Sequence, residues 1–256
     1  MPIDVRRKPR RRLFRFSLAI MLLAVAAIAV ILAWLSPQVR QTQWEVEIAA
    51  VIEELGGKIA WGGLLEGRGK NGRSYIGGID LSGAKVTDEN LALIGSLPEL
   101  THLRLNRTGV TSAGLEHLTR LPRIIQLELS HTSVTDEGLR HLAGLSSLTV
   151  LKLEGTDITD DGLRSLLGLD SLWMLYLDET QITDDALRYL AKLGRLRTLS
   201  LRGTEVTDRG LRFLEGHEEL EIIYLQGTKV TEGAVNPMMG RVIRSDPTIV
   251  PIFRGG

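Results

Sequence analysis

A fixed period of 24 residues governs this chain from residue 76 onward. The pair Val/Ile-Thr recurs at Val86-Thr87, Val110-Thr111, Val134-Thr135, Ile158-Thr159, Ile182-Thr183, Val206-Thr207 and Val230-Thr231 without an insertion. An apolar-x-apolar pair keeps the same step: Ile79/Leu81, Leu103/Leu105, Leu127/Leu129, Leu151/Leu153, Leu175/Leu177, Leu199/Leu201 and Ile223/Leu225. A unit this short cannot bury its apolar face alone. Copies must stack so that each covers its neighbour, and the fold is a solenoid.

Each unit changes period part-way. The alternation at Leu103 and Leu105 is strand spacing, which turns Arg104 outward. Leu115 and Leu118, then Leu139 and Leu142, fall at helical spacing. Thr111, Thr135, Thr159, Thr183 and Thr207 stand where a helix N-cap belongs, and Asp136, Asp160, Asp184 and Asp208 place negative charge in the first turn against the helix dipole. The expected fold class is α/β: a curved parallel sheet with short helices on its convex side.

Written from Leu100, the template is L-x-x-L-x-L-x-x-T-x-V-T, with Leu103, Leu105, Thr108 and Val110 in place. This resembles the leucine-rich repeat, over about 160 of the 256 residues. The resemblance implies a non-enzymatic binding solenoid without a cofactor. One departure is consistent: the ladder position usually held by Asn is Thr108, Thr132, Thr156, Thr180, Thr204 and Thr228, with Ala84 in the first unit. A Thr hydroxyl can satisfy the turn's backbone, less completely than an amide. The T-D-x-G-L helix starts also look like the cysteine-containing repeats of ubiquitin-ligase substrate receptors. No ladder Cys or F-box-like segment accompanies them here. Short bacterial membrane-anchored repeat proteins, with an Arg-rich tail, an apolar anchor and an L-G-G-capped helix, are more similar.

Formal charge is zero, 31 basic against 31 acidic residues, but the charges are segregated. Residues 1–15 form a tail holding Arg6, Arg7, Lys8, Arg10, Arg11, Arg12 and Arg15 against Asp4, which leaves 24 bases and 30 acids in the rest. Residues 16–35 carry no charge, and at about 1.5 Å per helical residue they span the ~30 Å bilayer core. We read them as a single-pass transmembrane anchor with the basic tail cytoplasmic, lying on anionic lipid headgroups, and the repeats outside. The alternative is export after signal cleavage, but no small-x-small site follows the run. An acidic repeat region argues against a nucleic-acid partner.

Between anchor and repeats, residues 36–75 read as a capping helix and loop. Trp44, Ile48, Val51, Ile52 and Leu55 make one helical stripe, and Gly56-Gly57 ends it. Repeats fill 76–235. In 236–256, Asn236-Pro237 breaks the pattern and Ile249 to Phe253 offers a closing apolar segment.

Other signals have plainer explanations. Gly67, Gly69 and Gly72 spell G-x-G-x-x-G, but they lead into a strand instead of opening a helix. The Asp160-Asp161 and Asp184-Asp185 pairs are explained by cap and dipole chemistry without a metal. No His joins a Ser or carboxylate in a hydrolase pattern, and no Cys is present, so no catalytic residue is assigned. Asn106-Arg107-Thr108 is a formal glycosylation sequon that also fits a plain turn.

The outward strand positions carry more information. Asp80, Arg104, Glu128 and Lys152 form a row of alternating sign whose members can pair across neighbouring strands about 4.8 Å apart. Tyr176, Ser200 and Tyr224 continue it and cannot pair in that way. The row two residues earlier also turns apolar: Gly78, His102, Gln126, Val150, Met174, Thr198, Ile222. Exposed aromatic and Met side chains on a rigid sheet are typical of an interface centre. We therefore expect a protein- or peptide-binding patch of Val150, Trp173, Met174, Tyr176, Ile222 and Tyr224, rimmed by Glu154, Asp178 and Arg202; the alternative is that some of these, Trp173 above all, tuck into the sheet. The expected function is a membrane-anchored binding scaffold. Alternatives are an envelope structural or adhesion protein that self-associates, the recognition subunit of a larger complex, and an enzyme.

Overall fold

The computed structural model of the chain describes residues 44–62 and 75–235, the side chains of Glu232 and Val235 excepted. The predicted anchor at 16–35, the basic tail, the G-x-G-x-x-G segment and the closing segment 236–256 lie outside the described residues. Among the described residues no helix is long and apolar enough to cross a membrane.

Eight strands form one sheet in sequential order: β1 (Lys58–Gly62), β2 (Tyr75–Asp80), β3 (His102–Arg104), β4 (Gln126–Glu128), β5 (Val150–Lys152), β6 (Met174–Tyr176), β7 (Thr198–Ser200) and β8 (Ile222–Tyr224). From β2 to β8 every pairing is parallel and shifted by 24 residues, so Leu103, Leu127, Leu151, Leu175 and Leu199 stack directly. With Leu105, Leu129, Leu153, Leu177 and Leu201 they are fully buried. Fully burying each such side chain contributes about 2 kcal/mol.

Two features differ from the expectation. Lys58–Gly62, taken as part of a loop, is a strand antiparallel to β2, with a bulge between Ala60 and Trp61. It covers the sheet edge that the first repeat would otherwise expose. The helical segments also alternate in pitch. Asp88–Ile94, Asp136–Leu142 and Asp184–Leu190 are α-helical, whereas Gly114–Arg120 and Gly162–Gly168 are 3-10 helices. Both kinds share the same repeat-spaced Leu pattern, which sets where a segment starts and not its pitch. The helix over residues 44–54 is present, with its buried stripe shifted from the predicted one. Ile48, Ala49 and Ile52 are inside, while Val51 and Leu55 are only half-buried.

Two sets of hydroxyls order the repeats, one within each unit and one between units. The ladder threonines Thr108, Thr132, Thr156, Thr180, Thr204 and Thr228 each donate to the carbonyl three residues earlier at 2.6–2.7 Å, satisfying the oxygen of the Leu that directly follows each strand. The helix-start threonines do more. Thr111, Thr159, Thr183 and Thr207 accept from the N–H two residues on, at 3.2–3.4 Å. The same residues offer their own N–H and O–H to the helix-start Asp of the preceding repeat. Asp88, Asp136, Asp160, Asp184 and Asp208 receive the N–H of Thr111, Thr159, Thr183, Thr207 and Thr231 at 2.6–2.8 Å, and the hydroxyl at 2.5–2.8 Å. The acidic row is thus an inter-repeat clamp as well as a dipole partner. Ser112 fills the remaining place with one oxygen, 3.0 Å from the Thr135 nitrogen.

The clamp also explains the Gly of the T-D-x-G-L signature. A Cβ on Gly162 would stand 2.3 Å from Asp136 Oδ1, and one on Gly210 would stand 2.4 Å from Asp184 Oδ1. The third helix position must stay small to leave room for the neighbouring carboxylate. Asp136→Ala should lose about 2–3 kcal/mol, since two charge-assisted hydrogen bonds go at once. Ser112→Asp completes the ladder and should gain about 1 kcal/mol. Urea unfolding midpoints of both variants against the parent check the pair.

Candidate functional site

The exposed face of the sheet is set by register. Asp80, Arg104, Glu128, Lys152, Tyr176, Ser200 and Tyr224 align across β2 to β8, as do Gly78, His102, Gln126, Val150, Met174, Thr198 and Ile222. The charged half pairs with itself. Arg104 lies 3.6 Å from Asp80 and 3.3 Å from Glu128, and Lys152 lies 3.3 Å from Glu128. Glu128 is the hub of this row. Its buried carboxylate also accepts from the Asn106 amide at 2.6 Å and from the Gln126 amide at 2.5 Å. Burial alone pushes the Glu128 carboxyl up, but the Asn106 amide, the Lys152 ammonium and the Gln126 amide together outweigh it and hold it below its ordinary value.

In the other half, Met174 and Tyr176 on β6 and Ile222 and Tyr224 on β8 are half-exposed, with Val150 alongside on β5. Ser200 between them differs from expectation. It is fully buried and donates its hydroxyl to Asp178, so the aromatic row is interrupted by a satisfied polar contact. Asp178 accepts the Arg202 N–H as well, at 2.9 Å. Trp173 does not tuck into the sheet and remains 44% exposed. It stands just before β6, where the Trp173 and Met174 nitrogens both donate to the Thr149 carbonyl, at 2.8 and 2.9 Å, so strict strand alternation is lost.

A cation from an adjoining repeat lies over each aromatic ring of this patch. Arg197 is 5.3 Å from the Trp173 centroid, Lys152 is 5.5 Å from Tyr176 and Arg202 is 4.4 Å from Tyr224. Arg197 is held in turn by Glu219 and Glu221 at 3.5 and 3.3 Å. These contacts help to hold the rings in place. Burial first, then the Tyr224 phenol and the Glu154 and Asp178 carboxylates, push the Tyr176 phenol up, which keeps it a neutral donor.

Two grooves flank this surface, and neither was expected. One, of about 470 Å3, lies where β1 joins the sheet and is lined by Trp61, Tyr75, Gly78 and His102. The other, of about 670 Å3, follows the strand ends and is lined by Asn106, Arg107, His131, Glu154 and Glu179. Just past the strand ends the backbone is left-handed once per repeat. Gly83, Gly155, Gly203 and Gly227 occupy that position, and Arg107, His131 and Glu179 take it at φ 56–57°. Each departure from Gly costs on the order of 1 kcal/mol and sets a long side chain on the groove. A Gly column with three exceptions at 24-residue spacing is the sequence signal that marks them.

A profile described as Leucine Rich repeat matches residues 144–167, one full period of the array. The other periods repeat the same strand, ladder and helix-start contacts, except for Ala84 at the first ladder position and Ser112 in one clamp. This is the leucine-rich repeat fold. Its repeats superpose on an internalin, inlF, from Listeria monocytogenes with a TM-score of 0.52 and 22% identity, over 68% of this chain. The chain spans 54% of that protein's length. A second Listeria monocytogenes internalin, inlC2, matches with a TM-score of 0.46 and 23% identity, over 70% of this chain and 88% of its own. Curated proteins give no match. What the likeness to inlF shares is the leucine-rich repeat fold.

The Glu128 hub contributes to the acid sensitivity of the repeat sheet. Its folded pKa lies below the ordinary 4.5, so its contribution is full above pH 4.5 and is lost as pH falls through the depressed value. Glu128→Gln should cost about 2 kcal/mol at pH 7 and flatten the acid limb of a stability-against-pH curve. Urea midpoints between pH 7 and pH 3 give both readings.

Proposed function

We propose that this protein is a membrane-anchored, non-enzymatic scaffold that binds a protein or peptide on the exposed face of its leucine-rich repeat sheet. The observation that carries the reading is the row of half-exposed Val150, Met174, Tyr176, Ile222 and Tyr224, edged by Trp173, with cations stacked on its rings. Tyr, Trp, Met and Arg are the side chains that concentrate binding energy at interface centres, and these are held in place before a partner arrives. Asp178 and Arg202 are already bonded to the array, which suits a rim that orients a ligand. Glu154 borders the same row and accepts the Ser130 hydroxyl.

In this reading residues 16–35 are the anchor, Arg6, Arg7, Lys8, Arg10, Arg11, Arg12 and Arg15 lie against cytoplasmic headgroups, and the repeats stand outside the cytoplasm. The uncharged length of 16–35 and the basic residues before it support this orientation. Single-cysteine labelling of intact cells should modify a cysteine placed at Lys192 and leave one placed at Ile3 unreacted; the reverse pattern refutes the topology.

Full-length protein in detergent, used to capture partners from envelope extract, should lose its specific partner when Tyr176→Ala and Tyr224→Ala are combined. A pair of edge aromatics carrying an interface typically costs 2–4 kcal/mol of binding. The unfolding midpoint should move far less. Capture that survives the double substitution contradicts the binding face.

A further inference from the structure

The charges along the exposed sheet are nearly all spent within the chain. Asp80, Arg104, Glu128 and Lys152 form one connected row, and Asp178 pairs with Arg202. The groove at the strand ends is different. It is an open channel of about 670 Å3 whose lining includes Arg107, His131, Lys152, Glu154, Asp178 and Glu179. Among the described residues, Arg107, Glu154 and Glu179 have no oppositely charged partner within ion-pair distance. Their signs are separated along the groove: Arg107 stands at its early-repeat end, and Glu154 and Glu179 stand at its late-repeat end. Glu154 accepts the Ser130 hydroxyl, which fixes the carboxylate without neutralising it.

Resting on the peptide-binding reading above, we propose that this groove takes an extended peptide running across the repeats, with an acidic side chain against Arg107 and a basic side chain between Glu154 and Glu179. The spacing follows from the array. Arg107 and Glu179 occupy the same left-handed position three repeats apart, which is about 14 Å at about 4.8 Å per stacked strand. An extended chain advances about 3.3 Å per residue and returns to the same side every second residue. Positions i and i+4 therefore fall about 13 Å apart on one side, and the ligand pattern is acid-x-x-x-base in either chain direction. A spacing of i and i+2, about 7 Å, does not match the separation of the two charges, and a ligand of one sign meets repulsion at one end.

Fluorescence polarisation on the full-length protein in detergent tests this, with the blocked heptapeptide Ser-Asp-Thr-Val-Thr-Lys-Ser as probe. It should bind at least tenfold more tightly than an acid-only version, a base-only version, or a peptide whose two charges are two residues apart. Arg107→Glu should weaken the probe tenfold or more and turn preference to the base-only peptide. Glu179→Lys should turn preference to the acid-only peptide. Equal affinities across the set, binding to none of them, or substituted proteins that keep the parent's preference each overturn the proposal. Envelope capture separates the two levels. Capture kept by Arg107→Glu but lost by Tyr176→Ala with Tyr224→Ala sinks the charge pattern and leaves the binding face standing. Capture unaffected by any of these substitutions sinks both.

Discussion

The clamp between a helix-start Asp and the Thr of the next repeat is the contact on which this fold depends. Stacked leucines supply the larger share of the stabilisation, but apolar burial is non-directional and would tolerate a slipped neighbour. The clamp does not. It joins one carboxylate to an N–H and an O–H whose positions are fixed by the turn, and the same hydroxyl caps its own helical segment. A change of one residue in period would break that pair and, at the strand, exchange core for solvent side chains. The unvarying 24-residue step is the consequence.

With the helical side committed to this clamp, the opposite side of the sheet is released from structural duty. Its charged half neutralises itself around Glu128, and its aromatic half is steadied by Lys152, Arg197 and Arg202. Such a surface is rigid, so a partner meets side chains whose ordering cost has been met within the chain. The left-handed turns add a second, polar surface at the strand ends. Arg107, His131 and Glu179 accept a backbone geometry that glycine adopts without strain at the equivalent positions.

Much of this was legible in the sequence, for a definite reason. Because no unit contains an insertion, equal residue offsets become direct neighbours, and the rows Asp80 to Tyr224 and Gly78 to Ile222 could be written down before any coordinates. The pairing of Arg104 with Glu128 followed from the same rule. What was hidden lacks a periodic or local signature. Lys58–Gly62 belongs to no repeat, so its pairing with β2 had no counterpart to suggest it. Asp136 reads locally as a dipole residue, and its second partner lies a whole repeat away at Thr159. Ser200 has the outward parity of a surface residue, and only its neighbours' bulk and the Asp178 carboxylate bury it. Arg107 read as part of an ordinary turn and Glu179 drew no reading, because a left-handed φ has no side-chain signature beyond the glycines at the sister positions.

The central claim is that neighbouring repeats are locked through carboxylates at the helix starts, where the backbone pairs only by isolated parallel bridges. Residue-resolved amide hydrogen exchange addresses it directly. The N–H groups of Thr159, Thr183 and Thr207 should exchange as slowly as those of the buried strand residues Leu151, Leu175 and Leu199, and Asp136→Ala should release Thr159 first. Helix-start threonines that exchange at the rate of open loops, with the strands still protected, would contradict the account.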